Sequence, residues 1–170
     1  MKVLVDGDSP RNPADSQFEM EGWVDLAPFE KLVGMSIIEA CDGRAVLTMP
    51  FVVKLSQGGG FLHGGALTAL ADTAAAMAVK TCLPVSTPFA TRNLSMRFLA
   101  PVRQGTVTAA ATVKQIDGRR YLVHVDLQDD QDHAVAEFTA DFRLLRPATG
   151  VCGDAESLVA PAKPITEGRY

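Results

Sequence analysis

Residues 58–79 read GGGFLHGGALTALADTAAAMAV, and the fold follows from how this stretch is read. From Ala66 to Val79 it contains no glycine, no proline and a single charge, Asp72. Alanine and leucine dominate it, which favours a helix, and the spacing predicts one from Gly64 to about Cys82. A helix lying on one face of a sheet should carry a polar stripe on its other side. This one is apolar nearly all round, so it should be buried on every side. A single sheet can wrap only part of such a helix. The remaining cover is expected from a second subunit, approaching closely over the alanines, or, in a monomer, from an N-terminal helix.

Outward from this helix the chain reads as strands. Met35–Ala40 and Arg44–Pro50 flank Asp42-Gly43, a strong hairpin signal. After the helix, Phe89–Ala100 places Leu94, Met96 and Phe98 on one face. Thr106–Ile116 follows, then a turn at Asp117-Gly118. Tyr121–Gln128 and Ala134–Arg146 continue the alternation, separated by a polar turn at Asp129–His133. Such period-2 alternation predicts an antiparallel sheet with one covered face. Asp25–Val33 reads as a short helix, with Asp25 as its cap and Gly34 as its stop. The fold class is therefore α+β: one antiparallel sheet, one long helix and a short N-terminal helix. The domain should span 21–146. Residues 1–20 and 147–170, rich in proline, glycine and polar groups, read as a flexible arm and tail.

The chain has 170 residues, enough for one domain with a real core. A formal net charge of -4 argues against nucleic acid as a partner, since such binders carry a basic excess. No helix-turn-helix segment is present either. Three scattered cysteines, Cys41, Cys82 and Cys152, form no CxxC pair, so neither a disulfide framework nor a zinc knuckle is indicated. The first residues turn polar too soon for a signal-peptide core, and Ala66–Val79 is too short and too polar to span a bilayer. A cytoplasmic protein, with no membrane partner, is the expectation.

Two features of the central stretch carry chemistry. A lone carboxylate inside an apolar helix is costly to bury unless it is bonded or used. In front of it, His63-Gly64-Gly65 follows a glycine-rich loop. Two glycines at the first helical positions leave their N–H groups open, at the positive end of the helix dipole, where an oxyanion is favoured. Yet Gly64 and Asp72 are eight residues apart, about 12 Å along a helix. One carbonyl group cannot touch both. If both act on one substrate, they come from two antiparallel copies of the helix across a two-fold axis, giving two composite sites per dimer.

Residues 58–79, together with LSMRFLAPVRQGTV at 94–107, resemble the hotdog-fold acyl-CoA thioesterases of the phenylacetate-degradation type. The combination is HGG, an acid nine residues after the histidine, and a strand ending F-L-x-P-V. The order of elements is similar over roughly 25–146. The resemblance implies that a sheet wraps the long helix and that thioesters of coenzyme A are hydrolysed to free acid and CoA. It implies that Asp72 is the catalytic carboxylate, as nucleophile or as general base for water, and that the Gly64 amide polarises the thioester carbonyl. Gln57 falls where relatives carry an amide side chain near that carbonyl. Thr91 falls where they carry a hydroxyl that holds water, although strict alternation puts it on the face opposite Leu94, Met96 and Phe98. His63 is implied to orient the loop.

For substrate binding, Gly65, Phe61, Leu62 and Met77 are expected at the pocket, and Arg103, Arg119 and Arg120 near the phosphates of CoA, with Arg92 and Arg97 as further cations. The alternative for these arginines is that they are solvated hairpin charge. No cofactor and no metal are called for, because a thioester is already activated. The expected assembly is a homodimer, or a dimer of dimers. Two other functions compete. A hotdog acyl-thioester dehydratase or hydratase would need a histidine beside the acid, and His124 and His133 are not so placed. A non-catalytic acyl-CoA-binding module would have no use for Asp72.

Overall fold

The computed structural model describes residues 20–145. The expected tail, and the expected arm apart from Met20, lie outside the described residues. The helix α2, Gly64–Thr81, is the longest element and packs on one face of a six-stranded antiparallel sheet. The strands are β1 (Ser36–Cys41), β2 (Arg44–Pro50), β3 (Phe89–Phe98), β4 (Thr106–Asp117), β5 (Arg120–Gln128) and β6 (Ala134–Leu144). Their order across the sheet is β1-β2-β4-β5-β6-β3, so the strand that leaves the helix becomes an edge. This is the sheet and helix arrangement that the sequence predicts.

The two elements meet through alternation. On β5, Tyr121, Val123, Val125 and Leu127 are all buried, and on β6 so are Ala136, Phe138, Ala140 and Phe142. They close over Leu67, Leu70, Ala71, Ala74, Ala75 and Ala78 of α2. Each fully buried leucine such as Leu70 contributes about 2 kcal/mol relative to exposure. Alanine on the helix lets the sheet approach closely. The far end of α2 is stapled to the first hairpin: the Thr81 hydroxyl accepts from the Gly43 N–H at 2.8 Å. Asp42 and Gly43 adopt φ of 48° and 76°, the left-handed pair that a two-residue hairpin turn requires.

The short helix, α1, spans only Pro28–Leu32. Asp25 does not cap it; its carboxylate turns back to accept from the Leu26 N–H at 2.7 Å. Pro28 at the first position sets the start, because the residue before a proline is held extended, as Ala27 is. The stop is as expected. Gly34, at φ 77°, ends the helix, with Met35 N–H reaching the Glu30 carbonyl at 2.9 Å.

Burial within the single chain is incomplete along one feature, the part of the helix that one sheet was expected to leave uncovered. The helix is not covered all round: Gly65, Ala69, Asp72 and Ala76 form a stripe that a single chain leaves open or half-open. Beside it, the apolar face of β3 is also uncovered. Leu94 and Phe98 are 42% and 55% exposed. Leu94 and Phe98 stay open within one chain because β3 is the edge strand, while Met96 is partly buried against the core.

Candidate active site

The N-terminus of α2 is held by the preceding loop. Ser56 and Leu62 form an antiparallel bridge, and Gln57 and Gly60 close the turn between them through the Gly60 N–H and the Gln57 carbonyl at 2.9 Å. Leu62 N–H then reaches the Val102 carbonyl (2.8 Å), and His63 N–H the Leu55 carbonyl (2.9 Å). His63 is the N-cap. Its Nδ1 accepts from the Gly65 N–H at 2.9 Å. This corrects the expectation that both glycine amides are open: the Gly65 amide is consumed by the cap, and only that of Gly64 has no acceptor among the described residues. Gly64 has a second reason to be glycine. A Cβ there would lie 3.0 Å from Cζ of Phe98, whose ring leans over the start of the helix. No local pattern in the sequence marks Phe98 as a neighbour of Gly64.

Two turns further along, Asp72 faces the open stripe. The Thr91 hydroxyl donates to its Oδ1 at 3.1 Å. Strict alternation would have turned Thr91 away. The β3–β6 register slips between Thr91 and Asn93, leaving Arg92 as the extra residue of a bulge. That slip returns Thr91 to the helix side, the face of Leu94, Met96 and Phe98. Burial pushes the Asp72 carboxyl above the usual carboxylate range, and the Thr91 hydrogen bond pulls it partly back. Among the described residues no charged group shifts it. A raised carboxyl is a stronger base, suited to accepting a proton from water.

The remaining candidates are scattered. The exposed Gln57 folds its Oε1 onto the Gly59 N–H, which leaves its side-chain N–H groups free to donate. Arg103 stacks on Phe61, its guanidinium carbon 4.3 Å from the ring centroid, at the mouth of the same loop. Leu62 and Met77 are 4% and 3% exposed, within the core rather than on a pocket wall. Arg119 spends its guanidinium on the Leu144 carbonyl, at 2.7 and 3.2 Å, tying one hairpin to β6. Arg120 pairs with Asp141 at 3.0 Å and Arg97 with Glu137. These three arginines therefore already have partners within the sheet, whereas Arg92 is exposed on the bulge. His124 and His133 pair with Asp126 and Asp129 and lie away from Asp72.

A groove of about 440 Å³ exists on the sheet face turned away from α2, lined by Asn93, Lys114, Arg120, His124, Thr139 and Asp141 among others. Another, of about 590 Å³, lies by Val85 and Arg119. Neither includes Asp72 or Gly64. Within one chain the carboxylate and the helix-end amide stand at opposite ends of an open stripe.

Comparison with known proteins gives this arrangement a lineage. Residues 59–136 match the model of the thioesterase superfamily. The chain is 32% identical over 109 residues to the acyl-coenzyme A thioesterase PaaI of Escherichia coli, covering 64% of this chain and 76% of that protein. It is 28% identical over 104 residues to a 1,4-dihydroxy-2-naphthoyl-CoA hydrolase of Listeria monocytogenes, covering 61% and 84%. The solved structure of the Escherichia coli PaaI protein superposes with a TM-score of 0.66 at 27% identity, over 71% of this chain and 86% of that one. The matched region runs from the helix-end loop through Asp72 and Thr91 into β6, and the chain belongs to the thioesterase superfamily as a PaaI-like hotdog thioesterase.

Proposed function

We propose that this thioester hydrolase cleaves small acyl- or aryl-CoA substrates at sites composed from two subunits, with Asp72 as general base and the Gly64 amide of the neighbouring subunit as oxyanion donor. The observation that carries the reading is Thr91 fixed on Oδ1 of Asp72, on an open stripe of an otherwise buried helix. Oδ2 has no partner among the described residues and is the oxygen that takes the proton. Water, oriented at that carboxylate, attacks the thioester carbonyl carbon as its proton passes to Asp72. The Gly64 N–H, with the helix dipole behind it, meets the oxygen that becomes negative. Collapse of the tetrahedral species breaks the C–S bond, and the proton returns from Asp72 to the departing CoA sulfur.

Support for the composite site comes from distance and from burial together. About 12 Å separates Gly64 from Asp72 along the helix, too far for one carbonyl group. The open stripe of α2 and the exposed Leu94 and Phe98 on β3 lie beside each other, as a two-fold homodimer face would. Gln57, on the loop at the helix start, and Arg103, which reaches that loop from the β3–β4 connection by stacking on Phe61, are the groups that would contact the substrate from the Gly64 side. The free thiols of Cys41 and Cys82 fit a reducing, cytoplasmic setting.

The test is release of free CoA thiol across a panel of short, medium, long and aryl acyl-CoAs, with Asp72→Asn beside the wild-type protein. The variant is expected to remain a folded oligomer and to lose at least about a hundredfold in turnover, the scale of general-base loss. Undiminished turnover would remove Asp72 from the chemistry. No release from any substrate would favour a binding module.

A further inference from the structure

We propose that Trp23 is a positioning residue for hydrolysis: by clasping the start of β3 to the far end of α2, it holds Thr91 on Asp72. This rests on the reading of Asp72 as the catalytic carboxylate.

The contacts form a closed ring. Trp23 donates its indole N–H to the carbonyl of Lys80 at 3.0 Å. Lys80 returns its ammonium over the Trp23 ring, 5.2 Å from the centroid. The indole also meets Phe89, the first residue of β3, edge-on with centroids 6.4 Å apart. Phe89 packs in turn on Phe142 (5.9 Å), and Phe142 is the cross-strand partner of Thr91. Thr91 then closes the ring on Asp72, which shares α2 with Lys80 eight residues away.

This clasp answers a mechanical need. β3 is an edge strand, hydrogen-bonded to β6 on one side only. Its ladder slips at the very residue that must meet Asp72, and the loop before it contains Ser86 at a left-handed φ of 64°. The bulge interrupts the β3–β6 ladder at Thr91, so that ladder does not by itself fix the direction of the Thr91 hydroxyl. Phe98 over Gly64 secures the far end of β3 to α2, and the attachment through Phe89 and Trp23 secures the end that carries Thr91. Asp25 and Glu30 face Lys80 at the Trp23 end of the ring, whereas Thr91 alone acts on Asp72.

The experiment is a double-mutant cycle between Trp23→Leu and Thr91→Val. It is read as kcat, KM and the pH profile of kcat on the acyl-CoA that the wild-type protein cleaves fastest. Thr91→Val should cost about tenfold in kcat, the scale of a hydrogen bond to a charged group, and move the acid limb to higher pH. Trp23→Leu should do the same in kind, with KM within about twofold of wild type. In the Thr91→Val background it should then change kcat by less than about twofold, because the contact it protects is already gone. Phe89→Leu and Trp23→Phe enter the same cycle, so the proposal remains testable if Trp23→Leu does not fold. An unmoved acid limb, or losses that multiply, overturns the assignment of Trp23 while an inactive Asp72→Asn leaves the catalytic reading standing. An active Asp72→Asn overturns both.

Discussion

Mixing two inactive variants tests the composite site most directly. Gly64→Pro removes only the oxyanion donor. Gly64 is the first helical residue, where proline is well tolerated, and His63 before it has φ -64° and ψ 133°, the extended conformation that a following proline requires. Its N–H has no acceptor among the described residues, so no hydrogen bond of the described fold is lost. The ring of Phe98 lies 3.0 Å from where a Cβ would stand, and it is exposed enough to turn aside. Removing one oxyanion donor should cost about a hundredfold in kcat, as should Asp72→Asn. Neither variant alone retains a working site. When equal amounts are co-expressed, half of the dimers are mixed. In each mixed dimer, one site joins the intact Asp72 of one chain to the intact Gly64 of the other. The mixture should therefore show about a quarter of wild-type turnover per dimer. Thiol release is the assay, with the mixed dimer isolated through two affinity tags. Mixed dimers no more active than the sum of their parents would refute the argument, since both variants are folded and paired.

Three further outcomes follow from burial and charge. Asp72→Asn should raise the unfolding temperature at neutral pH. The folded-state pKa of Asp72 lies above its unfolded value, so its stabilising contribution is full below the unfolded pKa and is lost as pH rises through the folded one. The advantage of asparagine should shrink on acidification, and scanning calorimetry at pH 7 and in mild acid reads it. The same raised pKa places the acid limb of wild-type kcat above the ordinary carboxylate range. Phe98→Asp should dissociate the oligomer and abolish turnover together, because it puts a charge into the exposed apolar face of β3 beside Gly64. Size-exclusion chromatography and the thiol assay should move in step; an active monomer would contradict the shared site.

Much of this molecule is legible in its sequence, and the boundary of legibility is physical. Local patterns suffice where the cause is local. Alternation gives the buried faces of β5 and β6, Asp42-Gly43 gives the hairpin, and Gly34 gives the helix stop, since each depends on neighbours in sequence. Prediction reaches Thr91 only through the family resemblance, because alternation turns it away and its face is set by a bulge. A bulge is a property of two strands in register, and β6 lies about fifty residues away. It fails at Gly65 because a histidine side chain competes for the same amide as a ligand, and sequence spacing cannot say which wins. It misplaces Arg119 and Arg120, whose hairpin position is right but whose partners, Leu144 and Asp141, come from another strand. Trp23 is the extreme case. Its one hydrogen bond spans 57 residues, and nothing around it carries a motif. Yet that contact closes a ring from Lys80 and Asp72 of α2 to the strand that bears Thr91. The residues that perform the chemistry are conspicuous because reaction demands unusual groups, whereas those that aim them are ordinary packing residues, recognisable only once the register of the sheet is known.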